Sequence, residues 1–161
     1  MDHVATVHDQ WRTERPDLDT TPLLVIGRIH RLAAALTPEL TAVYAEFGLG
    51  EGEFDVLATL RRQGAPFTLT PGELSDRTMV TSGAVSKRLD RLEERGLVER
   101  RASTADGRSR PVTLTPAGRD LIDDAMTAHT ANEARLLAAL PARDRDALAR
   151  LLGRLAESLG V

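Results

Sequence analysis

The chain has 161 residues, enough for one protomer with its own core, and no cysteine, which excludes disulfides, thiolate metal sites and thiol redox sensing. Hydrophobic residues make up 42% but aromatics only 3%, so the interior must be aliphatic, a composition that favours helices. The formal net charge of -3 argues against a general nucleic-acid coat, yet from Arg77 to Arg110 there are nine Lys or Arg and five Asp or Glu, so positive charge is concentrated in one stretch.

The first residues lack the basic start and apolar core of a signal peptide, and no apolar run approaches the length needed to span a bilayer. A cytoplasmic protein with no membrane partner is therefore expected. Val4, Val7, His8 and Trp11 fall at helical spacing and predict a short helix ending before Pro16. Trp11 is the only tryptophan, and a lone aromatic at such spacing serves as readily for packing as for binding. Thr21-Pro22 opens a long helix whose stripe includes Leu23, Ile26, Leu36, Leu40, Val43 and Phe47, with an interruption expected at Pro38. Gly48, Gly50 and Gly52 break it. A further helix is expected from Glu51 to Arg62 with Phe54, Leu57, Ala58 and Leu60 inward, and Phe67 to Leu69 reads as a short strand.

Thr70-Pro71-Gly72-Glu73 is a strong helix start: threonine can cap free amides, proline occupies the first helical position and glutamate reaches back three residues. Thr78-Met79-Val80 ends that helix early, and Thr81-Ser82 starts another at once. Val85, Leu89 and Leu92 then give one apolar face, and Gly96 stands where a C-terminal cap belongs. With those residues inward, Ser82, Ser86, Lys87, Asp90 and Arg91 are left outward. Small hydroxyl residues let a helix approach a groove, while Lys87 and Arg91 can reach phosphates or guanine edges. A solvated surface helix is the plain alternative for such charges.

The next stretch weighs against that alternative. Leu97 to Arg101 and Pro111 to Thr115 flank a polar turn containing Asp106-Gly107, the pattern of a β-hairpin. A hairpin placed after such a helix is a wing, and its tip carries Arg108 and Arg110, cations suited to narrow minor grooves. Pro116 then opens a long helix through Leu121, Ile122, Ala125, Met126, His129, Leu136 and Leu140, ended by Pro141. A last helix aligns Leu148, Leu151, Leu152, Leu155 and Leu159. These terminal helices carry more apolar surface than one small winged domain can cover, so a second copy is expected to bury it.

The run SGAVSKRLDRLEERGLVER, the Asp106-Gly107-Arg108 tip and the LTPAG sequence from Leu114 to Gly118 resemble the MarR family of bacterial transcription regulators. The resemblance covers about Leu23 to Leu159. It implies a mainly α fold with a small β wing: a winged helix-turn-helix (49–115) flanked by an N-terminal segment and dimerisation helix (1–48) and C-terminal dimerisation helices (116–161). It also implies a homodimeric repressor whose recognition helices enter adjacent major grooves of double-stranded DNA about 34 Å apart at a palindromic operator. By resemblance Arg108 reads the minor groove and Asp106 supports it. The DNA-binding set is then Ser82, Ser86, Lys87, Arg91, Asp106, Arg108 and Arg110.

Trp11, Asp55, Arg88 and Arg100 are similar to the ligand set of the urate-responsive branch of this family. In that branch tryptophan, aspartate and arginine line a pocket, and a second arginine couples it to the recognition helix. A small anionic or aromatic effector such as urate is the implied partner. The rival readings are ordinary structural ion pairs, or a phenolic compound in a crevice between the dimer helices and the winged domain. Strand alternation puts Arg100 on the inward face with Val98.

No catalytic constellation assembles. Asp123-Asp124 point in different directions on a helix and read as a solvated face. His3, His8, His30 and His129 are scattered, and no glycine-rich phosphate cradle or Gly-x-Ser-x-Gly elbow occurs. No enzyme activity, cofactor or metal is expected.

Overall fold

The computed structural model describes residues 2–78, 85–100 and 110–160. The elements run α1 (His3–Glu14), α2 (Leu23–Glu46), α3 (Glu51–Arg62), β1 (Thr68–Leu69), α4 (Pro71–Arg77), α5 (Val85–Glu94), β2 (Val98–Arg100), β3 (Val112–Leu114), α6 (Pro116–Leu136) and α7 (Ala142–Leu159). The fold is mainly helical with one three-stranded antiparallel sheet, as expected. The chain forms two compact units, Met1–Ala42 and Val43–Val161.

In the first unit Asp2 caps α1 by accepting the Ala5 N–H at 2.9 Å, and Arg28 holds the same carboxylate from α2 at 2.8 Å. The cap and the arginine together lower the Asp2 pKa below its ordinary value. Val4 is buried, and a Cβ built on Gly27 would stand 3.0 Å from its Cγ1, so α1 lies close on α2. His8 Nδ1 shares a 2.8 Å hydrogen bond with the Thr20 hydroxyl. The expected interruption at Pro38 does not occur: α2 is one helix of 24 residues with Pro38 inside it. One missing N–H is a local loss, and the alanine- and leucine-rich turns on either side favour helix.

In the second unit the core lies where α3, α4, α5, the sheet and α6 meet. Val56, Leu57, Leu60, Leu74, Leu89, Leu92, Val98, Val112, Ile122 and Ala125 are all fully buried or within 2% of it. Tyr44 stacks on Phe54 with ring centroids 4.1 Å apart, and His129 of α6 lies against both rings. Between α3 and α6, Arg61 grips Asp123 with two hydrogen bonds of 2.7 and 3.1 Å. The Asp123 side chain stays 45% exposed within that pair, which forms because the two helices bring residues 62 positions apart side by side.

The sheet order is β1-β3-β2, with Thr68 opposite Thr113 and Arg100 opposite Val112. β3 is central because the Phe67–Leu69 segment returns to pair with the second strand of the hairpin. The LTPAG sequence sets the corner after it. Thr115 caps α6 by accepting the Gly118 N–H at 3.0 Å while its hydroxyl donates to the Gly96 carbonyl at 2.7 Å and its N–H to the Leu97 carbonyl at 3.1 Å. Gly118 is needed for this approach, because a Cβ there would lie 2.0 Å from the Leu97 oxygen.

Some apolar surface remains uncovered in the single protomer. No residue of α7 is buried, and Leu148, Leu151, Leu152 and Leu159 are exposed on it. Leu23, Val25, Ile26, Leu32 and Leu36 are exposed on α2.

Candidate nucleic-acid interface

The described part of the helix-turn-helix is built by one capping box and one apolar face. At the start of α4 the Thr70 hydroxyl accepts the Glu73 N–H at 3.2 Å while the Glu73 carboxylate takes the Thr70 N–H at 2.8 Å, the reciprocal box that the sequence announced. Those hydrogen bonds hold the Glu73 pKa below its ordinary value. α4 ends at Arg77, whose backbone carbonyl accepts from Arg62 while its guanidinium donates to Gln63, so the end of α4 is tied to the end of α3. In α5 Val85, Leu89 and Leu92 are buried.

Burying that face leaves Ser86, Lys87 and Asp90 exposed on α5, as the periodicity requires. Arg110 is also exposed, just before β3. Ser82, Asp106 and Arg108 of the expected DNA-contacting set lie outside the described residues. Arg91 is 71% exposed, yet its Nη1 stands 3.8 Å from a carboxylate oxygen of Glu53 at the start of α3.

Arg91 is one of three arginines on the same flank of α5 that turn toward α3 and the loop before it. Arg95 donates to the Gly48 carbonyl at 2.8 Å and to the Phe47 carbonyl at 3.4 Å, at the end of α2 where the helix dipole favours a cation. Glu53 uses its other oxygen to accept the Gly50 N–H at 2.9 Å, so one carboxylate both caps α3 and faces Arg91. Arg88 reaches the start of α3, where its guanidinium occupies the space that a Cβ on Gly52 would fill. Its Nη1 is buried without a hydrogen-bond partner among the described residues. An unmet buried donor costs about 1–3 kcal/mol, and more for a charged group. Sequence reasoning missed Gly52, Glu53 and Arg95, since no motif marks them and their partners are distant in the chain.

The expected ligand residues are distributed as follows. Asp55 is buried on α3, one turn beyond Gly52. Arg100 shares the inward side of β2 with Val98, as alternation predicts, and is 21% exposed. Its guanidinium donates a hydrogen bond to Asp90 and stands 3.3 Å from the Glu93 carboxylate, and its backbone N–H donates to Glu93 at 3.2 Å. The 3.3 Å approach of Nε to Glu93 is an ion pair without hydrogen-bond alignment, and among the described residues that nitrogen has no hydrogen-bond partner. Arg100 thus braces β2 against α5. Trp11 belongs to the other unit and is 48% exposed.

Among the described residues no group of three His, Cys, Asp or Glu side chains is placed to hold a metal ion, and no helix is long and apolar enough to cross a membrane.

A family model described as the MarR family matches residues 47–109. The HTH-type transcriptional regulator PecS of Dickeya dadantii is 38% identical over 97% of this chain and 94% of its own length. The HTH-type transcriptional repressor Rv2887 of Mycobacterium tuberculosis is 37% identical over 79% of this chain and 89% of its own. A crystal structure of Rv2887 in complex with p-aminosalicylic acid superposes with a TM-score of 0.65, covering 82% of this chain and 98% of that one at 35% identity.

Proposed function

This chain belongs to the MarR family of DNA-binding transcription regulators, and we propose that it works as a homodimeric repressor released from a palindromic operator by a small anionic or aromatic molecule such as urate. It is a regulator and not an enzyme. The proposal places 49–115 on DNA, with 1–48 and 116–161 joining two protomers in the cytoplasm. Ser82, Ser86, Lys87, Arg91 and Arg110 contact the duplex, and Arg108, supported by Asp106, enters the minor groove. The exposed leucines of α7 support the dimer, since a second copy can cover them.

The observation behind the effector reading is Arg88, a recognition-helix cation turned inward to the helix that carries buried Asp55, its Nη1 without a hydrogen-bond partner among the described residues. A group so placed responds to a change of charge nearby by re-pairing, and a shift of α5 alters the spacing of two half-site readers. Arg100 presents a fork that matches two acceptors of a planar anion, and binding there competes with Asp90 and Glu93 for the same side chain. Trp11 enters the set by resemblance alone. A urate titration followed by the fluorescence of the single tryptophan, with a Trp11→Phe variant beside it, tests the proposal. Saturable quenching with release of bound DNA over the same range is expected; DNA binding intact with no saturable response refutes the urate reading.

A relative solved with p-aminosalicylic acid, which carries a phenol as well as a carboxylate, supports a second reading in which the effector is a phenolic compound; its place would be an apolar crevice beside the dimerisation helices. Arg100→Ala separates the two, because an anion pocket fails without that guanidinium and an apolar crevice does not.

A further inference from the structure

We propose that Gly52 is a positioning residue for the recognition helix, its missing side chain forming the seat in which Arg88 sets α5 against α3. An ideal Cβ at this position would stand 2.2 Å from both Cζ and Nε of Arg88 and 2.7 Å from Nη1, so the guanidinium and a methyl group exclude each other. Nothing in the backbone calls for glycine here. Gly52 is the second residue of α3, in a helical turn where alanine is the better helix former. The close approach of Arg88 is what the absent methyl permits.

Among the described residues the buried Nη1 of Arg88 has no hydrogen-bond partner, so no bond at that nitrogen accounts for the place of the side chain. Its planar group packs over the bare backbone of Gly52. Arg91 facing Glu53 and Arg95 on the Phe47 and Gly48 carbonyls continue the same flank of α5 along the α2–α3 corner. Of these contacts, that of Arg88 depends on an absence of atoms, so one methyl group can remove it while every charge stays present. Because the clashing atoms are the far end of a flexible side chain, the arginine leaves and the backbone stays. The recognition helix then loses one of its supports without losing its core leucines.

The inference rests on reading α5 as the DNA-facing helix. The test uses the full-length dimer and a duplex that wild-type protein enriches from a random-sequence library. Binding is measured for Gly52→Ala, Arg88→Ala, the double variant and Lys87→Ala, with thermal melting of each. Gly52→Ala is expected to weaken binding by about tenfold, within the range for positions that couple through a packed network. In the Arg88→Ala background the same methyl group should have no further effect, since the seat is then empty. Wild-type binding by Gly52→Ala, or an equal loss in both backgrounds, overturns the proposal. If Gly52→Ala fails to fold, removal of the arginine must restore folding in the double variant, and failure to do so also overturns it. Unchanged binding by Lys87→Ala refutes the DNA-facing reading of α5, whereas loss with Lys87→Ala and none with Gly52→Ala refutes only the role of Gly52.

Discussion

Replacing Gly118 by alanine should destabilise this protein, against the sign that helix propensity dictates. Gly118 is the third residue of α6, and in a helix interior alanine is favoured over glycine by about 1 kcal/mol. A methyl group there would stand 2.0 Å from the Leu97 carbonyl oxygen and 3.0 Å from Leu114 Cδ1. The first of these atoms is backbone and already accepts the Thr115 N–H at 3.1 Å, so it cannot swing aside as a side chain can. To restore ordinary contact the start of α6 and the turn after α5 must separate by about 1 Å. Overpacking of this kind costs about 1–3 kcal/mol, and the strained Thr115 cap adds about 1 kcal/mol if it breaks. After the propensity gain, a net loss of about 1–3 kcal/mol remains. At about 2–4 °C per kcal/mol for a chain of this size, the melting temperature should fall by roughly 2–12 °C. Calorimetric or circular-dichroism melts measure it, at one fixed protein concentration because association contributes to stability. Gly72, the second residue of α4, is the control: a Cβ there meets only the Thr70 hydroxyl at 4.0 Å, so Gly72→Ala should leave the melting temperature unchanged or raise it. A Gly118→Ala protein as stable as wild type would refute the close-approach argument.

Tyr44 is the only tyrosine and its pKa is raised above the ordinary value, chiefly by burial and then by the charges of Glu133, Glu51 and Asp55. Near-ultraviolet difference absorbance should show the native phenol ionising above pH 10 and the denatured one near 10; the stability this represents is complete below the unfolded pKa and is lost as pH rises through the folded one. Coincident titrations would contradict the burial of Tyr44. Leu151→Glu puts a carboxylate on the exposed stripe of α7, and burying it against a second copy costs several kcal/mol. Sedimentation should find monomer and DNA binding should fail; an intact dimer places the interface elsewhere. Arg108→Ala, at a position outside the described residues, should weaken DNA binding and make the salt dependence shallower by about one unit, and unchanged affinity at matched salt removes the wing from recognition.

The elements that were legible in the sequence are those whose signals are local. The Thr70 cap involves residues three apart, and α4 and α6 start at Pro71 and Pro116, where the sequence places them. The Val85, Leu89 and Leu92 spacing identified the buried face of α5, and the Glu51 to Arg62 boundaries of α3 were read as found. Pro38 misled because a proline is a strong local signal against helix while the stability of a long helix is shared among many turns.

Sequence by itself therefore determined the order of helices and strands, the outward residues of α5 and membership of a family of regulators, all of which follow from patterns a few residues long or from the motif run. The tertiary structure decided what the arginines do. Arg88 on Gly52, Arg91 facing Glu53, Arg95 on the end of α2, and Arg100 between Asp90 and Glu93 are pairings that no periodicity encodes. An arginine reaches far enough to serve DNA, ligand or a neighbouring helix from the same position, and only the packing of α3 against α5 and of β2 beside α5 fixes which partner lies within reach.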